Sequence, residues 1–232
     1  MRISLTKTAK PSKKAILWGI AYLIFYQFLF SYVLGFLENF LPEPLDIIEV
    51  NLIFSLTNVT AVVLIFRKYL LQTLREARWR IGPILGYALL AVLGTMYLTE
   101  LVSNLVWQLN PDYYNVNDLG IDLMLLENKP MVILMTVILA PITEELLFRG
   151  LIFRSLFDRS KVLAYVVSMC LFSFIHLTSY IGYLDIQWLG LAFLEYLPAA
   201  YCLAFAYHNS GSILSSMLMH AAINSLALLS TV

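Results

Sequence analysis

Seven stretches of this chain are long and apolar enough to cross the hydrocarbon of a bilayer, which takes about 20 mostly apolar residues as helix. They lie near residues 15–37, 48–66, 82–107, 130–157, 161–181, 186–207 and 211–230. No water reaches that depth to pair with backbone N–H and C=O groups, and a helix satisfies them within one segment. The expected fold is all-α, a polytopic membrane helix bundle of about seven transmembrane helices. Composition agrees, because 60% of the 232 residues are hydrophobic, 13% are charged and the mean hydropathy is +0.79. A soluble domain does not have that profile.

The charges alternate between loops. Lys7, Lys10, Lys13 and Lys14 precede the first span; Arg67, Lys68, Arg75, Arg78 and Arg80 follow the second; Arg154, Arg159 and Lys161 separate the fourth and fifth. The intervening loops carry Glu38, Glu43, Asp46 and Glu49, then Asp112, Asp118, Asp122 and Glu127. Lysine and arginine are retained on the cytoplasmic side, so the N-terminus is expected in the cytoplasm and the C-terminus outside. The first apolar run is longer than a signal peptide's and has no small-residue cleavage site after it, so it reads as a retained helix. Cys170 and Cys202 fall inside spans without CxxC spacing, which implies neither a disulfide framework nor a thiolate metal site. Net charge is zero; the partner expected is the lipid bilayer, and no nucleic acid.

An ionisable side chain at a helix centre costs about 2.5–3.5 kcal/mol on insertion scales, so each one needs a reason. They are few: Glu100 beside Asn104 in span three, Glu144, Glu145 and Arg149 in span four, His176 in span five, Glu195 in span six, His220 beside Asn224 in span seven. Glu145 and Arg149 are one helical turn apart with the acid first, the favourable order for an ion pair. Glu144 points about 100° away and has no partner in its own helix. His220 and Asn224 share one stripe of span seven, and Phe172 and His176 one stripe of span five. Glu100 with Asn104, and Glu195, read best as structural groups.

If spans four and five form a hairpin tipped near residue 159, Glu144 and His176 lie level within about 3 Å at 1.5 Å per residue. His220 is roughly 15 Å from its own turn. The three can meet near mid-membrane if the hairpin projects into the cytoplasm, and a water-filled cavity is expected around them. Pro141 is expected to kink span four one turn before Glu144.

"EELLFR" (144–149), "FSFIH" (172–176) and "HAAIN" (220–224) occur in that order on successive apolar segments. They resemble the EExxxR, FxxxH and HxxxN motifs of the CPBP family of intramembrane proteases, which includes the type II CAAX prenyl endopeptidases and the Abi or bacteriocin-processing proteins. The resemblance covers residues 130–226, which it makes the catalytic core; residues 1–129, with spans one to three, match only as generic membrane helices, all within one integral membrane domain of residues 1–232.

What the resemblance implies is peptide-bond hydrolysis in the membrane. Glu144 would be the general base activating water, with His176 helping to hold that water. His220 and Asn224 would stabilise the tetrahedral oxyanion. Glu145 and Arg149 would lock the helix that carries the base, and Phe172 would pack against the site. No cofactor is favoured; zinc is the alternative, with Glu144, His176 and His220 as ligands. The HExxH pattern is absent and a metal set would leave Asn224 without a role, which favours the metal-free reading. The compact chain with short loops suggests a bacterial cytoplasmic membrane, and a leader peptide, pheromone precursor or membrane-protein tail as substrate. A different class of function is a non-proteolytic immunity or scaffold protein using the same cluster to pack helices or bind a partner.

Overall fold

The computed structural model describes residue 5 and residues 8–230, so Lys7 of the basic N-terminal run lies outside the described residues. Eight helices follow one another: α1 (Lys13–Phe28), α2 (Phe30–Glu38), α3 (Ile47–Ala77), α4 (Ile81–Leu109), α5 (Val116–Phe157), α6 (Lys161–Ile175), α7 (Ile186–Ser210) and α8 (Ile213–Ser230). Polar side chains start most of them by capping orphan N–H groups. Ser12 accepts from Ala15 N, Asn115 from Asn117 N, Ser160 from Leu163 N and Asp185 from Trp188 N. Asp46 and Glu49 form a reciprocal capping box at α3. Gly211, with φ +69°, ends α7 in the left-handed conformation and turns the chain into α8.

The fold is an all-α membrane bundle, and α3, α4, α5 and α7 are each long and apolar enough to cross a bilayer. Of these α5 is the most enclosed, and Leu146, Leu147, Phe148 and Leu151 on it meet Phe66 of α3, Leu203 and Tyr207 of α7 and Ile213 of α8. A Cβ on Gly19 would stand 2.6 Å from Phe66 Cζ, so only glycine lets α1 approach α3 this closely. Below the core, buried Arg154 pairs with Asp158 at 2.9 Å, and Lys10 reaches Asp158 at 3.6 Å, fastening the N-terminal segment to the α5–α6 turn. Trp18, Trp79 and Trp107 are exposed, as interface anchors should be.

Four expectations from the sequence need correction. The first span is two helices, α1 and α2, bent by 55° at Leu29, and it counts as a fifth crossing only if the pair is taken together. The fourth span is preceded by helix from Val116 and not by a loop, so Asp118, Asp122 and Glu127 lie on helix, while the span itself starts past a break, near 130 as expected. Its backbone break falls at Asn128 (φ −149°, ψ 78°), ahead of Pro130; no break occurs at Pro141, where π-helical turns at Leu134–Leu139 and Leu146–Phe153 flank a short α segment. A π turn lets a later N–H serve the carbonyl that proline cannot reach. Lastly, the fifth span stops at Ile175, giving a helix of 15 residues. At 1.5 Å per residue that is about 22 Å, short of the roughly 30 Å of hydrocarbon.

Candidate active site

The early end of α6 places His176, its C-cap residue, inside the bundle. Beyond it the chain forms a turn and a 3-10 segment, Thr178–Tyr180, and these residues line a cavity of about 540 Å³. Irregular backbone at this depth is tolerated where it borders such a space. Glu144, His176, His220 and Asn224 all face the cavity, whose walls further out carry Asn51, Asp118 and Asp122.

Glu144 Oε2 lies 3.8 Å from His176 Nε2 and 3.9 Å from His220 Nε2. Those separations exceed a hydrogen bond and suit a bridging water. The oxygen is buried and has no hydrogen-bond partner among the described residues. Each imidazole is held from behind. His176 Nδ1 donates to the Phe172 carbonyl at 2.8 Å, and His220 Nδ1 to Glu145 Oε1 at 3.0 Å. A carbonyl and a carboxylate only accept, so Nδ1 carries the proton in both rings, and both Nε2 atoms face Glu144.

Glu145 and Arg149 are fully buried, 3.1 Å apart, with Arg149 Nη2 also donating to the Ala200 carbonyl at 3.0 Å. Phe172 sits between the two layers: the Arg149 guanidinium lies 4.4 Å from its ring centroid, and the His176 and His220 rings at 4.8 and 5.8 Å. Asn224, one turn beyond His220, donates one amide hydrogen to the Thr136 carbonyl at 2.7 Å and keeps the other.

The remaining intramembrane polar groups lie elsewhere. Asn104 donates to Glu100 Oε1 at 3.1 Å on an exposed face of α4. Glu195 accepts from Tyr113 Oη at 2.9 Å and Asn115 Nδ2 at 3.0 Å, tying α7 to the α4–α5 turn. Burial, and then the Glu195 carboxylate, push the Tyr113 phenol well above its usual value, which keeps it a donor. Two contributors escaped the sequence reading: Thr136, which holds Asn224, and Tyr196, whose ring stacks on His176. Thr136 is two turns before Glu144 on the same helix, a spacing that marks it once Glu144 is known.

Zinc held tetrahedrally by ligands at 2.0–2.2 Å sets its donors about 3.3–3.5 Å apart. The Glu144–imidazole separations are wider, and among the described residues no group of three or more His, Cys, Asp or Glu side chains is placed to hold a metal ion.

Residues 126–226 match the family model described as type II CAAX prenyl endopeptidase Rce1-like, a segment that contains every side chain of the cluster. The likeness covers that segment, which is less than half of the chain. The chain is also similar to the UPF0177 protein YbdI of Lactococcus lactis subsp. lactis (strain IL1403), with 33% identity over 98 residues, 42% of this chain and 48% of that protein. The match thus spans about half the length of that relative. No solved structure matches the chain. The matched segment runs from α5 to α8, and α1, α3 and α4 pack against it.

Proposed function

We propose that the protein is an intramembrane endopeptidase that hydrolyses a peptide bond in a membrane-associated peptide or membrane protein, with Glu144 as general base. The observation that carries this reading is the unpaired, buried Glu144 Oε2 standing between two imidazole Nε2 atoms at the end of a cavity. Glu145 Oε2 and Arg149 Nε are also buried without a partner, so what favours hydrolysis over a scaffolding or immunity role is the placing of Glu144 Oε2 on the cavity between two imidazoles.

In the proposed reaction, water hydrogen-bonds to Glu144 Oε2 and to His176 Nε2, and its oxygen attacks the substrate carbonyl carbon. Glu144 takes the proton and later delivers it to the leaving amine nitrogen. A second proton on His220 balances the buried charges, Glu144 and Glu145 against Arg149 and His220. It also makes Nε2–H a donor to the oxyanion, beside the remaining Nδ2–H of Asn224. Glu145 and Arg149 support the helix, and Phe172 packs the rings. Zinc, with Glu144, His176 and His220 as its ligands, is the alternative, and no step is routed through a metal. The bacterial cytoplasmic membrane, the cytoplasmic N-terminus and residues 130–226 as catalytic core are part of the same proposal. The family's prenylated substrates are not carried over to this chain.

The test is cleavage of a peptide mixture by the purified protein reconstituted in lipid, run in H₂¹⁸O. One ¹⁸O atom should enter each new C-terminal carboxylate. No new termini, or equal cleavage by Glu144→Gln, would sink the reading.

A further inference from the structure

As the C-cap of α6, His176 has no following helical turn to pack against, and its ring makes one hydrogen bond, from Nδ1–H to the Phe172 carbonyl. Phe172 covers one side, tilted by 50°. The Tyr196 ring lies against the imidazole as well, with centroids 4.3 Å apart and planes within 24°.

We propose that Tyr196 is a positioning residue that fixes the His176 imidazole, and that Glu195, bound to Asn115 of the α4–α5 turn, sets the α7 register that brings its ring there. Offset aromatic stacking of this kind favours one ring orientation by several-fold beyond what area burial alone provides. Tyr196 Oη donates to Asn115 Oδ1 in a long contact of 3.5 Å. That same oxygen caps α5 by accepting from Asn117 N at 3.1 Å, while Asn115 Nδ2 donates to Glu195 Oε2 at 3.0 Å. Asn115 is therefore clasped by α5 on one side and by α7 on the other. Adjacent residues on a helix point about 100° apart, so Glu195 grips the α4–α5 turn while Tyr196 faces the cavity. The intramembrane carboxylate of Glu195, which takes no part in the chemistry, thereby sets the register of α7 so that the Tyr196 ring meets His176.

This inference rests on the proteolytic reading, and its test separates the two. The chain has three histidines, His176, His208 and His220, so histidine-selective ¹³C and ¹⁵N labelling in lipid nanodiscs resolves each ring. In Tyr196→Leu, loss of the ring current should move the His176 carbon-bound protons downfield, and a second Nε2-protonated population should appear, with His220 unchanged. Tyr196→Phe keeps the ring and should keep the wild-type signals. In the cleavage assay, kcat should fall at least about tenfold for Tyr196→Leu with KM within about threefold, and Tyr196→Phe should stay within about threefold of wild type. Should Tyr196→Leu fail to accumulate, Tyr196→Met fills the same space and takes its place. Unmoved His176 signals, or moved signals with wild-type kcat, would overturn the proposal. If the wild type cleaves nothing, the proteolytic reading falls, and the spectra alone still decide whether Tyr196 orients the ring.

Discussion

His220 Nδ1 stands 3.0 Å from Glu145 Oε1, the same oxygen that takes the hydrogen bond from Arg149 Nη1 at 3.1 Å. One carboxylate thus ties a helix to its own next turn and aims an imidazole at Glu144. Glu145→Gln should strand the Arg149 charge at a fully buried site, a loss on the order of 3–5 kcal/mol, read as a lower unfolding midpoint in detergent. Arg149→Met in the same chain should restore part of that stability. Cleavage should stay at least about tenfold down, because an amide gives the second His220 proton no counter-charge. Full recovery of activity in the double variant would reduce Glu145 to a helix lock.

Glu144→Gln should behave differently. The amide keeps shape but accepts no proton, so turnover should fall by about 10²- to 10⁴-fold while yield and unfolding midpoint stay near wild type. A folded Glu144→Gln protein that still cleaves would remove Glu144 from the role of base.

Asn224→Ala removes one proposed donor to the oxyanion, and kcat should drop by about 10²- to 10³-fold at nearly constant KM. Thr136 holds the Asn224 amide only through its backbone carbonyl, so Thr136→Val, which keeps that carbonyl, should leave kcat within a few-fold. A larger effect of Thr136→Val than of Asn224→Ala would place the important group on α5.

Chelation tests the metal-free mechanism. Reconstituted protein dialysed against a strong chelator should retain its cleavage rate if Glu144 acts on water directly. Loss of activity with recovery on adding zinc would replace the mechanism by a metal-assisted one.

Orientation is read by labelling. A cysteine at Asp118 should react with an impermeant maleimide from outside intact cells, and one at Arg75 only after permeabilisation. The reverse pattern would place the N-terminus outside and turn the cavity towards the cytoplasm.

The three motifs were legible because helical spacing alone puts Glu145 with Arg149, and His220 with Asn224, on common stripes. Counting residues from the turns brought Glu144, His176 and His220 to one depth, and they do converge. What spacing could not reveal was contact between helices: the hydrogen bond from His220 to Glu145 depends on how α8 packs against α5. The start of α5 was hidden because Asp118, Asp122 and Glu127 lower the local hydropathy, although Asn115 is a good cap. The end of α6 was hidden for the opposite reason, since Leu177, Tyr180 and Ile181 continue its apolar character after the helix has stopped. Neither proline nor glycine marks the bend at Leu29.

The shortness of α6 bears on how the proposed hydrolase would obtain its water. A rod of 15 residues reaches only part-way through the hydrocarbon, and the seat of His176 is fixed by that length rather than by the lipid around it. The rest of the way is irregular chain, Thr178–Tyr180 included, that borders the cavity and offers solvent a path down to it. Chain length of the surrounding lipid then acts on turnover without touching a single reacting group: short acyl chains shallow the well above Glu144, and long ones deepen it.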